Sequence, residues 1–261
     1  MLNIKKKFAG SVAKNPNAGD TNIFLGNILI EVVAENYKQL LHERIFLGDD
    51  RPLDPPIRAN ERVMSGLFGN AITAISERSR TEVRIDRESY IQDPEDADDE
   101  MSTISTHGRI DYLAWYARRT FAIELKMSNM NCESCNVSDR TKTKWKAVVK
   151  QAGNAQSWLR KSQGLDNERY PNPLSLALMV VVGRRAVGKK SDALDENMAS
   201  QKTNFLDALQ KLSPSPQFIA SYEFPKELRR QAVRKKGSPK DEEIYIPFIA
   251  FIARAAVNSV Q

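Results

Sequence analysis

The chain has 261 residues, 41 % of them hydrophobic and 28 % charged, which is globular composition and length enough for one large domain or two small ones. The longest uncharged apolar run, 174-LSLALMVVVG-183, is about half of the roughly 20 residues needed to cross a bilayer, and the first twenty residues lack a signal-peptide core. A soluble, cytoplasmic protein with no membrane partner is expected. Net charge is +6, divided between acidic 93-DPEDADDE-100 and basic 226-KELRRQAVRKKGSPK-240. Such a basic patch suits a polyanion, although a charge run on its own is more often a solvated face.

In chain order, residues 1–22 are rich in Lys, Asn, Gly and Asp without periodicity and are expected to form a flexible N-terminal arm. Residues 23–261 then make a single domain. From 26 to 45, Leu29, Val32, Val33, Tyr37, Leu40 and Leu41 fall on one stripe of a helix. The segment 48–60 carries three prolines and reads as a connection, with Asn60 placed to cap a second helix over 61–78. That helix buries Val63, Met64, Leu67, Phe68, Ala71, Ile72 and Ile75.

The period then changes from helical to alternating. Residues 81–92 read as a strand, the acidic stretch as a loop, and 108-GRIDYLAWYARRTFAIELKMS-128 as two further strands. A basic helix over 142–161 carries Trp145, Val148, Val149, Ala152 and Leu159 on its apolar stripe, and the unbroken apolar run from 174 to 184 implies a strand covered on both faces. A helix over 200–212, a strand over 217–224, the basic segment and a strand over 244–253 complete an α/β fold with a mixed β-sheet flanked by helices.

Three charges interrupt the central pair of strands. If the hairpin turns at Arg118-Arg119, opposed residues sum to 237, Asp111 faces Lys126, and Leu113 faces Glu124. Side chains alternate with period two, so Asp111, Glu124 and Lys126 share one face. Desolvated charges are costly unless bound to something, which favours a site over a structural ion pair. Two carboxylates at cross-strand separation, with the backbone carbonyl of Leu125 between Glu124 and Lys126, offer the hard oxygen donors that Mg²⁺ takes. Lys126 is then placed to orient a water or stabilise a phosphoryl transition state.

An Asp followed after twelve residues by Glu-x-Lys on the next strand resembles the signature of the PD-(D/E)XK nuclease superfamily, whose fold is restriction-endonuclease-like. The span from about 61 to 184 is similar to that family's core in the order of its elements, with N-terminal helical and C-terminal strand additions. The resemblance implies a Mg²⁺-dependent deoxyribonuclease, with Mn²⁺ able to substitute, in which Asp111 and Glu124 hold metal and Lys126 is catalytic. Ile110 stands where the family's name has proline. The family often adds an acid from the helix before the sheet, for which Glu61 is preferred over Glu77, Glu31 and Glu35, because Ser65, Gly69 and Thr73 let that face approach the sheet. It also often adds a Gln or Lys from the helix after the third strand, here Gln151, with Lys144 on the same side.

Arg109, Lys144, Lys150, Arg229, Arg230, Arg234, Lys235 and Lys236 are the expected DNA contacts, acting on the phosphate backbone. Two other classes stay open: a non-catalytic nucleic-acid-binding module on the same scaffold, and an interaction subunit of a multi-protein system. A homodimer is a further expectation. The lone pair Cys132 and Cys135 has neither a second Cys pair nor enough histidines for a structural zinc and reads as a loop with reduced thiols.

Overall fold

The computed structural model describes residues 1–8, 18–47, 55–58, 60–87, 106–161, 173–187, 197–234 and 241–256. These residues form eight strands and four α-helices in the order β1 (Leu2–Lys6), α1 (Ala18–Leu47), α2 (Glu61–Ile75), β2 (Arg78–Arg87), β3 (Thr106–Tyr116), β4 (Arg119–Asn131), α3 (Asp139–Lys161), β5 (Leu174–Ala186), α4 (Met198–Gln210), β6 (Phe218–Glu223), β7 (Arg230–Arg234) and β8 (Asp241–Ala255). All eight strands join one mixed sheet of order β1-β6-β8-β5-β4-β3-β2, with β7 continuing beyond β6 along the same edge of β8. Among the described residues only β4 and β5 run parallel. A parallel pair needs a crossover, and α3 supplies it.

The sheet lies between two helical layers. On one face Phe24, Leu25, Ile28, Leu29 and Val32 of α1 and Met64, Leu67, Phe68, Ala71 and Ile72 of α2 pack onto Tyr112, Phe121, Ile123, Leu125, Leu178 and Phe251. On the other, Trp145, Val148 and Ala152 of α3 and Phe205, Leu206 and Leu209 of α4 pack onto Ala177, Met179, Val181 and Ile252. Strand β5 sits between the layers, which is why its sequence is apolar on both alternations. Asn60 caps α2 as expected, accepting from Val63 N at 3.0 Å.

Several expectations need correction. Residues 2–6 of the supposed arm form an edge strand against β6, with Leu2 opposite Tyr222 and Ile4 opposite Ala220; alternation over five residues is too short to stand out in a lysine-rich stretch. Helix α1 begins eight residues earlier than read, at Ala18 rather than 26, and buries Phe24, Leu25 and Ile28 while Tyr37 and Leu41 of the expected stripe are exposed. Val63 is also exposed. Part of the basic segment is strand β7, pairing Arg230 with Tyr245 and Ala232 with Glu243. The acidic stretch 93–100 lies outside the described residues.

The β3–β4 hairpin turns at Ala117-Arg118, not Arg118-Arg119. Both residues have positive φ, 48° and 58°, as a two-residue type I′ loop requires. Arg119 is drawn into β4 as a buried residue. Opposed residues therefore sum to 235, from Tyr116 opposite Arg119 to Tyr112 opposite Ile123. Leu113 faces Ala122 rather than Glu124. Because the slip is two residues, parity along the paired part is unchanged.

Candidate functional site

The hairpin ladder stops at Tyr112 and Ile123. In a regular continuation Leu125 N–H would donate to the carbonyl of Ile110. Instead it donates to the Asp111 carboxylate, Oδ2, at 2.7 Å. Asp111 thus turns into the plane of the sheet and holds β3 and β4 apart. The distortion extends to β2: Glu82, across from Asp111 in the register of Thr81 with Tyr112 and Val83 with Ile110, has a φ of 55°. A bulky residue in the left-handed region is strained, and such strain persists where the surroundings dictate it. The Glu82 carboxylate pairs with Arg109.

Beyond the split, the edge of β4 that faces away from β5 is lined by charge instead of by a neighbouring strand. Met127 N–H donates to Glu61 Oε2 at 3.2 Å, and Lys126 Nζ donates to Glu61 Oε1 at 3.2 Å. Lys144 Nζ, from α3, donates to the Met127 carbonyl at 2.6 Å. Glu61 is the first residue of α2, and Ser65 and Gly69 let the helix approach: the Tyr112 hydroxyl donates to Ser65 O at 2.8 Å, and a side chain at Gly69 would touch the Tyr112 ring. A strand residue projects its N–H and C=O to the same side. The Leu125 carbonyl therefore opens onto the gap that Asp111, Glu61 and Lys126 line.

Burial is the largest influence on the Asp111 carboxyl and pushes it above the ordinary aspartate value; the bond from Leu125 N–H and the Lys126 charge act the other way, and Glu61 adds to the rise. Its ionised form is thus short of solvation.

The expected residues fall into three groups. Asp111, Lys126, Glu61, the Leu125 carbonyl and Lys144 are gathered at the split. Glu124 is almost completely enclosed, at 2 % exposure. It lies one step back along β4, where extension of the register sets it across from Asp111. Gln151 follows Lys144 by one heptad on the same flank of α3, and its buried Oε1 has no hydrogen-bond partner among the described residues. Among the described residues no three metal-ligating side chains converge into a ready-made cage. Glu61, expected as a third acid, forms an ion pair with Lys126 at 3.2 Å.

The expected DNA contacts divide as well. Arg109 and Lys150 are exposed, the first beside the split. Arg230 reaches Glu243 at 3.7 Å from an exposed position. Arg229 turns inward, donating to the Phe224 carbonyl at 2.9 Å and to Glu223 at 3.2 Å. Arg234 closes β7, while Lys235 and Lys236 lie outside the described residues.

Cys132 is buried at the end of β4, and burial raises its thiol to about 11. Cys135 Sγ donates to the carbonyl of Cys132 at 3.2 Å. A cavity of about 920 Å³ between α3 and α4, lined by Cys135, Lys142, Lys146, Asp207 and Lys211, is on the opposite flank of α3 from Lys144 and contains none of the expected residues. Sequence reasoning missed Glu82, whose strained backbone leaves no mark in an alternating pattern, and undervalued Lys144. Among the described residues no helix is long and apolar enough to cross a membrane. Compared with family models, curated proteins and solved structures, the chain has no match.

Proposed function

We propose that the chain is a metal-dependent deoxyribonuclease with a PD-(D/E)XK-like site at the split between β3 and β4. The observation that carries this reading is the diversion of Leu125 N–H from the neighbouring strand to Asp111, which opens a gap lined by acid, amine and backbone oxygen. The donor set fits a hard divalent cation: a carboxylate underserved by solvent, a backbone carbonyl on the same edge and a further acid across the register. Asp111, the Leu125 carbonyl and Glu124 would hold Mg²⁺ or Mn²⁺. A cation bound there supplies a lowered water pKa and neutralises charge on a phosphoryl oxygen.

The chain's own groups do the rest. Asp111 is fixed in place by Leu125 N–H, so its free oxygen direction is set before any ligand arrives. Glu61 holds the Lys126 ammonium at the gap, leaving it to orient the attacking water and to balance charge on the phosphate as it becomes pentavalent. Lys144 pins the Met127 carbonyl and keeps the edge of β4 from closing. Gln151 brings an acceptor that has no donor among the described residues and can take a hydrogen bond from that water. Arg109, Lys150 and Arg230 attract the backbone by charge without reading bases.

The test incubates purified protein with supercoiled and linear DNA in Mg²⁺, Mn²⁺ or chelator, alongside Asp111→Ala, Glu124→Gln and Lys126→Ala. Cutting that needs metal and falls at least 100-fold in all three variants supports the assignment. Asp111→Ala and Lys126→Ala proteins that cut as well as wild type place the site elsewhere. DNA binding without cutting in any metal makes the chain a binding module instead.

A further inference from the structure

Helix α1 is apolar on two opposite sides. Its inner side, Phe24, Leu25, Ile28, Leu29 and Val32, is fully enclosed against the sheet. Of the seven large apolar side chains that the described residues leave exposed, five belong to α1: Ile23 at 56 %, Ile30 at 55 %, Leu41 at 61 % and Ile45 at 73 % on its outer side, and at their margin Tyr37 at 38 %, whose hydroxyl accepts from Tyr222 of the sheet. A surface helix normally turns a polar face to water, and one that is apolar all round is normally covered.

The spacing says what kind of cover fits. With the half-buried Asn27 and Ala34 the outer stripe reads 23, 27, 30, 34, 37, 41, 45, in steps of four, three, four, three, four and four. At 100° per residue those positions stay in one narrow line for the length of the helix, which is the seam a second helix packs against. The line is also symmetric. Ala34, its smallest member, lies eleven residues from Ile23 and eleven from Ile45, so an antiparallel copy crossing at Ala34 sets Ile23 against Ile45, Asn27 against Leu41 and Ile30 near Tyr37.

Charge follows the same two-fold. Glu31 and Lys38 flank the stripe on one side, and in an antiparallel pair equivalent flanks meet, bringing Glu31 of each helix beside Lys38 of the other. Lys38 is well exposed and makes a 3.5 Å contact to Glu35 within its own helix. Five side chains at about 100 Å² each, contributed by two copies, bury on the order of 1,000 Å², which is the threshold for a specific interface. Antiparallel dipoles add a favourable term.

We infer that the outer stripe of α1 is the seam of a two-fold homodimer in which α1 packs antiparallel on α1 of a second copy, crossing at Ala34. This stands apart from the nuclease reading, since none of its residues lies at the split. Helices whose axes are about 8–10 Å apart bring Cα atoms at the crossing within disulfide reach.

The test has two arms on the full chain. Sedimentation equilibrium should give a dimer whose dissociation constant rises at least 100-fold in Ile30→Glu/Leu41→Glu, with the helical circular dichroism signal unchanged because both sites face solvent. In a Cys135→Ser background, Ala34→Cys should form a disulfide-linked dimer on mild oxidation. Ile23→Cys should link only when mixed with Ile45→Cys. A monomer up to 100 μM, a dimer indifferent to the double variant, or Ile23→Cys linking to itself in preference to Ile45→Cys overturns the inference, the last by pointing to a parallel pair or another partner.

Discussion

Substituting Asp111 in two ways separates what its side chain does for the fold from what its charge does for a ligand. Asn retains an oxygen at the position that accepts from Leu125 N–H at 2.7 Å, so Asp111→Asn leaves the split propped open. Because burial pushes the Asp111 carboxyl up, removing its charge relieves a desolvated group, and in chelator Asn stands level with or above wild type. Asp111→Ala leaves the part-buried N–H without its acceptor, at about 1–3 kcal/mol. At about 2–4 °C per kcal/mol for a domain of this size, a midpoint loss of about 2 kcal/mol lowers Tm by roughly 4–8 °C. On the proposed reading, Mg²⁺ at about 100 times its Kd should add about 2.7 kcal/mol to wild type by mass action and little to either variant. Thermal melts followed by circular dichroism, in chelator and in Mg²⁺, read all of this. An Asn variant as destabilised as Ala, or one stabilised by Mg²⁺ as strongly as wild type, refutes the division of roles.

Three further outcomes are expected. Replacing Ala117-Arg118 by Asn-Gly supplies residues that accept the positive φ of both positions and should raise stability by about 1 kcal/mol in urea unfolding; no gain means that the turn is unstrained. At Gly183 an added Cβ would lie 2.7 Å from the Phe248 ring, so Gly183→Ala should cost about 1–3 kcal/mol through overpacking, and an unchanged urea midpoint would refute that contact. Burial raises the Cys132 thiol in the fold from the ordinary 9.0 to about 11, so its contribution to stability is whole below pH 9 and is lost as pH rises toward 11. Cys132→Ala should flatten the decline between those limits, and an identical slope in both proteins would deny the thiol a part in it.

The four α-helices and six of the eight strands were legible because each shows its period over many residues, and the Asn60 cap because one side chain does the capping. Strands β1 and β7 were not: five residues each, they are held by the edges of β6 and β8 rather than by their own pattern. Asp111, Lys126 and Glu61 could be named from spacing and family resemblance. Their geometry could not, since spacing placed Asp111 on a face of the sheet, whereas the structure turns it into the plane between strands.

The amino-acid sequence by itself determined the layers: apolar periodicity decides which face of each long element is buried, and that is a local property of the chain. It also determined the net positive charge and the residue types able to share a cation. Only the tertiary structure decided the two-residue register correction, the pairing of Glu61 with Lys126, the inward turn of Arg229 and the emptiness of water from one side of α1 but not the other. Each of these depends on which distant backbone N–H, carboxylate or neighbouring helix comes within about 3–4 Å, and no local pattern encodes a contact between residues dozens of positions apart.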